Sequence, residues 1–576
     1  MALVVLGSDG RSAGQRHRRY ILGKGTATKA AAALILAAIM IFAIPAGAGS
    51  AATTQPMTAS QPKTYYFAWY DSLPQDGMNG DWITLGNLDN ATAHVEVFLG
   101  AEQFPPFDIS PHGKHVVSWA NKIGGPVRVI STGGQALAVT QRVIYKNSFH
   151  EIAALLYSNL DSSYYFTWYD SLPQDGMNGN WLIVANEDSQ TADVQINIGS
   201  GNVHDYQINP GQRIHPQFPG SIGGPVHVVS TNGKKIMVSQ RVLYKNSFSE
   251  VMGYPQRRLD KAYFFSWYDM TGDFSGDWVM MSNPGTSPVH AQLYIGSDPN
   301  PKQTYLIKPG QSLTPFFAGQ IGGPVRVVCT DCAGGENILV SQRTLYKNSF
   351  NEVLGTPPAG LDTEMDYGWY DNRQEDGFSG DWVMIGNQGV GSAAAAVYLG
   401  QASQPSDSLT VGEGSSSNSS LAGMLGGPVR VINNGGKPLL SSQRTIYKNS
   451  FNELVGLPRA ATGELGPATP DLQLLKINTY WASKSDYANR DLSVDFRISN
   501  EGQEAGIKAT LDSVKTDSGV AVMTSLPESL GDLVGSGGYA SFTVKYQIPN
   551  GVQSFSTDVR AHCYDNEGNE YYYPAP

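Results

Sequence analysis

Cysteine is scarce in this chain, with three among 576 residues, and that limits what chemistry sulfur supplies. Cys329 and Cys332 form Cys-Thr-Asp-Cys inside a small insertion, and a local disulfide stapling that loop is expected outside the cell. A zinc site would need two further ligands nearby, and no second pair exists. A thioredoxin-like redox pair would need a βαβ setting, which is missing. Cys563 is left over and is expected as a buried free thiol. Charge is also sparse, at 15% of residues, against 10% aromatics and 64 Gly. That balance excludes long surface-charged helices and suits β-rich domains joined by many turns. There is no His-Glu-x-x-His, no Gly-x-Ser-x-Gly and no phosphate-cradling loop, so catalysis has little support. Histidines such as His94, His215 and His290 fall at different places, so no repeat-wide base or metal ligand is expected.

Long apolar runs are missing except near the start. Arg11, Arg16, Arg18, Arg19, Lys24 and Lys29 precede an apolar stretch over 30–44, then Pro45 and Ala46-Gly47-Ala48. Basic leader, apolar core and small-x-small site together predict a secretory signal peptide over 1–48, with an uncleaved anchor as the alternative. The stretch is short for a membrane span of about 20 residues. By the positive-inside rule the remainder faces outward in either case. Membrane contact is expected only through this segment. No sorting motif precedes Pro576, so attachment would need the N-terminal segment or another protein. The chain carries a net charge of −11, and the part beyond the basic leader is more acidic still. Nucleic-acid binding needs basic patches and is not expected.

Four copies of one pattern occupy most of the chain. Each opens with Trp-Tyr-Asp, at Trp69, Trp168, Trp267 and Trp369, so that the first Trp recurs after 99, 99 and 102 residues. Each closes with Gln-Arg, two residues, then Tyr-Lys-Asn-Ser-Phe-x-Glu, running from Gln141 to Glu151 in the first copy. A unit of this length can bury its own core, unlike a short solenoid repeat. Val95, Val97 and Leu99 alternate with His94, Glu96 and Phe98, the period-2 mark of a half-buried strand. Short strands punctuated by Pro111, Gly113 and Gly-Gly-Pro-Val give the pattern of a β-sandwich. The expected organisation is all-β, with four tandem β-sandwich repeats over 62–157, 161–256, 260–357 and 363–458. Short connectors predict a semi-rigid array. The Ser/Gly-rich stretch 412–420 is expected as a mobile loop. A linker over 460–470 then leads to a further domain over 471–576.

Three sets of residues are candidates for a site. Asp71, Asp76 and Asp81, with Asp170, Asp175, Asp269, Asp277, Asp371, Asp376 and Asp381, place hard oxygens on Gly-rich turns, as a Ca²⁺ site requires. Asn180 and Asp273 complete the pattern. The spacing matches no EF-hand, and turn capping is the competing explanation. No other cofactor is expected. Trp69, Tyr70, Trp82, Trp168, Trp181, Trp267, Trp278, Trp369 and Trp382 would make a sugar-stacking platform if exposed, or core and corner packing if not. Arg142 with Glu151, and the pairs Arg241–Glu250, Arg343–Glu352 and Arg444–Glu453, are expected to lock the last strand to the terminal loop.

The last segment has Pro470-Asp471-Leu472 at its start, Ser499-Asn500-Glu501-Gly502 after a strand and Phe542-Thr543-Val544 late. On these residues it resembles the immunoglobulin-like or CARDB-like sandwiches appended to exported bacterial proteins. The repeats, through Trp-Tyr-Asp, Gly-Gly-Pro-Val, Ser-Gln-Arg and Ser-Phe-Asn-Glu (Ser349 to Glu352, Ser450 to Glu453), resemble tandem domains of uncharacterised secreted or cell-surface bacterial proteins. The resemblance implies an extracellular or envelope location and brings no activity or binding residues. The expected role is therefore non-catalytic: adhesion, envelope structure or ligand display, with cell-wall polysaccharide or a surface protein as partner. The alternatives are a multivalent carbohydrate-binding array and an extracellular carbohydrate-active enzyme.

Overall fold

The structure, a computed structural model, describes residues 2–5, 62–459 apart from 202 and 333–335, and 470–574 apart from 471, 501–505, 534–537 and 566–567. Nearly all of the predicted signal segment, and most of the predicted linker, lie outside the described residues. Among the described residues no helix is long and apolar enough to cross a membrane.

Each repeat is two antiparallel sheets over one core, as the alternation predicts. In the second repeat one sheet runs Val203–Ile208, Ala192–Ile198, Val226–Ser230, Ser163–Phe166 and Tyr254–Pro255. The other runs Arg213–Ile214, Met177–Asn186, Ile236–Tyr244 and Ser247–Met252. A two-stranded ribbon, Tyr169–Asp170 with Ile222–Gly223, closes one end. Inward residues of facing strands, such as Val194, Ile196, Val226, Val228, Leu182 and Val184, make the core. Polar residues fill the alternate positions, which is what a sheet with one wet face requires.

The Gly-Gly-Pro-Val turn is fixed by close approach of backbone. A Cβ on Gly224 would sit 2.1 Å from the Thr167 carbonyl oxygen, and one on Gly125 2.5 Å from that of Ala68. Only glycine lets the turn reach the strand that leads into Trp-Tyr-Asp.

The repeats do not form the semi-rigid row that short connectors suggested. Their last strands, Ser148–Ala153, Ser247–Met252, Ser349–Leu354 and Ser450–Val455, pack against one another in a closed circuit, the fourth returning to the first. Four equivalent hydrogen bonds define it. The Phe248 amide donates to Ser148 Oγ (3.1 Å), Phe350 to Ser247 (3.1 Å), Phe451 to Ser349 (3.0 Å) and Phe149 to Ser450 (3.0 Å). The four repeats thus close into a ring with approximate four-fold symmetry. Nor is each core wholly private: Ile183, Ala185, Met237 and Met252 of the second repeat join the cluster of the first. The reason lies in the strand patterns. Leu137–Tyr145 and its equivalents are almost continuously buried, so both faces of that strand must be covered.

The Ser/Gly-rich stretch also differs from expectation. Ser415–Ser419 is a strand paired with Val383–Asn387, because serine backbone donors complete the sheet edge as well as any others. The last segment has two sheets around one core that includes Val494, Phe496, Leu511, Phe542 and Val544. It docks on the third repeat through Arg497 and Asp260, both buried and 2.5 Å apart. Ala2–Val5 pairs with Ser554–Ser556 and Thr557 at the edge of one of these sheets.

Candidate functional site

The repeated motif residues converge, but on the seams between repeats. Tyr70 is fully buried beneath the Trp-Tyr-Asp turn. Its hydroxyl donates to the Asp81 carbonyl (2.7 Å) and accepts from the Trp119 amide (2.8 Å). Tyr169, Tyr268 and Tyr370 repeat this arrangement. Tyr70 is therefore an anchor of the turn and takes no part in a sugar platform.

Asp81 lies on a strand flanking the core with its carboxyl inside. It accepts from the Asp71 amide (2.8 Å) and from Gln141 Nε2 (2.9 and 2.8 Å). Asp277 with Gln342 and Asp381 with Gln443 do the same. Burial pushes the Asp81 and Asp277 carboxyls up to about 8 and Asp381 up to about 7, and the hydrogen bonds offset only part of it. In the second repeat Asn180 takes this place, bonding Gln240 and the Asp170 carbonyl. A neutral amide thus substitutes for the acid.

The predicted calcium cage is corrected by this geometry. Asp71 turns its Oδ1 onto the Leu73 amide (2.9 Å), and Asp170, Asp269 and Asp371 cap their turns likewise. Asp76 and Asp175 stand exposed at the ends of short 3-10 turns, and Asp376 is exposed beside Arg373. Asp71, Asp76 and Asp81 therefore face three directions, as do Asp371, Asp376 and Asp381. Among the described residues no group of three or more His, Cys, Asp or Glu is placed to hold a metal ion.

The Arg–Glu pairs form, and they are more buried than a strand-to-loop tie would need. Arg142 and Glu151 are direct cross-strand partners in the final hairpin, 2.9 Å apart. Arg241–Glu250 (2.7 Å), Arg343–Glu352 (2.8 Å) and Arg444–Glu453 (2.7 Å) match them. Each Glu also accepts from a Thr or Ser on the neighbouring strand, such as Thr140 (2.6 Å) and Ser239 (2.6 Å). Glu amides then donate across the ring: Glu151 to Asn452, Glu250 to His150, Glu352 to Ser249 and Glu453 to Asn351. Burial lowers His150 to about 4, keeping it neutral, and its Nε2 lies 2.7 Å from the Glu250 carbonyl oxygen and 3.0 Å from the Glu250 amide.

The tryptophans lie at or near these seams, half-buried, instead of forming one open plane. The Arg213 guanidinium of the second repeat covers Trp69 at 3.8 Å, with His215 at its edge. Lys114 of the first repeat covers Trp369 at 3.4 Å. The Trp168 and Trp267 carbonyls accept from Arg343 and Arg444 of the next repeat. Trp82, Trp181, Trp278 and Trp382 fold back over the glycine two residues earlier, where a Cβ would fall 2.0 to 2.2 Å from the ring. Cys329 and Cys332 are disulfide-bonded, and Cys563 is buried, its thiol pushed up to about 11.

One feature of the first repeat escaped the sequence reading. Phe104, Pro105, Pro106, Phe107, His115 and Trp119 line a shallow cavity of about 440 Å³. Phe104 stacks on Trp119 and Phe107 on His115, each at 4.0 Å between ring centres. The signal was present: Phe-Pro-Pro-Phe occurs in this repeat alone, and Pro interrupts an edge strand because it has no donor.

No family model matches the chain, and no curated protein matches it in sequence. Among solved structures it is similar to trypsin-activated alpha-2-macroglobulin from Escherichia coli, at 9% identity and a TM-score of 0.17, over 90% of this chain and 41% of that one. The native conformation of the same E. coli protein gives 8% identity and a TM-score of 0.14, over 90% of this chain and 39% of that one. The chain thus spans about two fifths of these structures, and likeness at that level carries no argument about function.

Proposed function

We propose that this is an exported, cell-surface protein of non-catalytic role, a closed ring of four β-sandwiches that serves adhesion, envelope structure or ligand display. The observation that supports it most is the use of the repeated polar motif. Tyr70, Asp81, Gln141, Arg142 and Glu151 and their equivalents are spent on turns and seams, so repetition here builds a platform. The last domain, read as immunoglobulin-like, extends that platform beside the third repeat. An enzyme reading has less support. The cavity lined by Asp193 and Asp205, about 290 Å³, has both acids bonded to amides, Gln207 and Asn232 on Asp193 and Gln195 on Asp205.

A second reading, carbohydrate binding, is favoured by the aromatic groove of the first repeat, whose size lies within the usual range for ligand sites. A screen of the whole chain against cell-wall polysaccharides, glycans and surface proteins separates the two. Glycan binding lost in Trp119→Ala places the site in the groove. Binding to a surface protein that survives Trp119→Ala supports the display role. Glycan turnover would overturn both.

A further inference from the structure

We infer that the ring is built to open at one place, the seam between the fourth and first repeats, and that Asp366 with Glu364 is its latch. Two independent features single out this seam. The first is connectivity. The chain itself bridges the other three seams, through short connectors after Leu155–Leu156, Tyr254–Pro255 and Ser349–Leu354. The last domain ties itself to the third repeat at Asp260 and to the fourth at Glu413, on one side of the fourth-to-first seam. No short connector crosses that seam.

The second feature is what is buried there. One strand position of each repeat enters the seam with the next repeat. It is Tyr66 in the first, Tyr165 in the second and Phe264 in the third, fixed by pairing with Arg128, His227 and Arg326. Tyr165 packs into the third repeat's core and Phe264 beside Leu440 of the fourth. In the fourth repeat the same register position, opposite Arg430, is Asp366. It is completely buried, and its carboxyl has no hydrogen-bond partner apart from the Glu364 carboxyl beside it. Its other strand neighbour, Leu457, packs on Leu88, Ala136 and Ala138 of the first repeat. Three seams thus carry an aromatic ring where this one carries an acid.

The charged groups around it are Glu364 and Asp362 on its own strand or just before it, Arg430 on the paired strand, and Arg459 after the last strand. Asp89 of the first repeat pairs with Arg459 across the seam, and His112 lies within reach of both arginines. Burial and the neighbouring Glu364 carboxyl hold Asp366 far above the ordinary carboxylate range. The closed seam therefore binds a proton that the open seam releases. Closure is favoured at low pH and weakens as pH rises through the closed-state value.

The four ring amides report the four seams separately, which makes the test internal. Hydrogen exchange of the full chain is followed by mass spectrometry at about pH 5.5 and about pH 8.5, corrected for intrinsic rates. Protection at Phe149 and Glu151, which donate across this seam, is expected to fall roughly tenfold or more at the higher pH, a local opening. Protection at Phe248 and Phe451, whose seams hold Asp81 and Asp277, is expected to fall less than at Phe149, and protection at Phe350, whose seam holds Asn180, is expected to hold. Asp366→Asn combined with Glu364→Gln is expected to cut the loss at Phe149 to that seen at Phe248 and Phe451, since Asp381 remains at this seam. Parallel loss at all four amides, or no loss at Phe149, would overturn the inference. So would a folded double variant whose loss at Phe149 still exceeds that at Phe248 and Phe451. If that variant does not fold, the comparison of the four amides in the unaltered chain decides alone.

Discussion

At the scale of single residues, the most informative position is the one held by Asp81, Asp277 and Asp381. A buried carboxyl raised to about 8 (about 7 at Asp381) costs less protonated than ionised. Its folded value lies above its unfolded one, so the folded state holds more protons between about pH 4 and pH 8, and stability declines with pH across that window. Asp81→Asn should therefore leave stability near the unaltered value at pH 5 and raise it above pH 8, by about 1–2 kcal/mol. Asn180→Asp should do the reverse, introducing a decline the second repeat now lacks. Thermal unfolding across pH 5 to 9 checks both. A gain of the same size at every pH would mean that hydrogen-bond geometry matters here and protonation does not. The sequence displayed this position, since Asn stands in one repeat where Asp stands in three. It did not disclose burial, because Asp and Gly beside a turn look alike whether the acid faces solvent or core. The calcium reading failed for that reason.

At the scale of elements, the final hairpin carries the assembly. Its Arg and Glu face each other across two strands, and its Ser and Phe reach the next repeat. The alternation rule identified the strands, and the fixed Arg-to-Glu spacing correctly paired these side chains. What spacing could not reveal is that Ser-Phe-x-Glu points outward from its own sandwich, because a hidden inter-repeat contact and a hidden core contact leave the same apolar and small-polar pattern. Two expectations follow for this element. Glu352→Gln leaves Arg343 buried without a counter-charge, and chemical denaturation should show a loss of about 3–5 kcal/mol. Ser148→Ala strips the acceptor from the buried Phe248 amide and should cost about 1–2 kcal/mol. A loss much smaller than these in Glu352→Gln would show that Ser341, also bonded to Glu352, holds the hairpin without the ion pair.

At the scale of the whole molecule, closure changes what a part of the chain can do. The seams between consecutive repeats are built from equivalent pairs: Ser148 with Phe248, Ser247 with Phe350, Ser349 with Phe451 and Ser450 with Phe149. Half of the ring therefore presents one donor face and one acceptor face that match each other. A fragment of two repeats, residues 62–256, buries the seam between them but leaves Phe149 without its Ser450 and Ser247 without its Phe350. Two such fragments can supply each other's missing partner, rebuilding four seams with two-fold symmetry. Such a seam is self-complementary in the manner of common closed dimers. It also covers Tyr165 and Tyr254, apolar groups that a lone fragment would expose. Light scattering after size separation should find the fragment as a dimer. The rebuilt joint carries Tyr165 where the intact ring has Asp366 at its fourth-to-first seam, so this dimer should hold together equally well on either side of neutral pH. A well-folded monomer would show that the repeats are self-sufficient sandwiches and that the ring follows from their tethering alone.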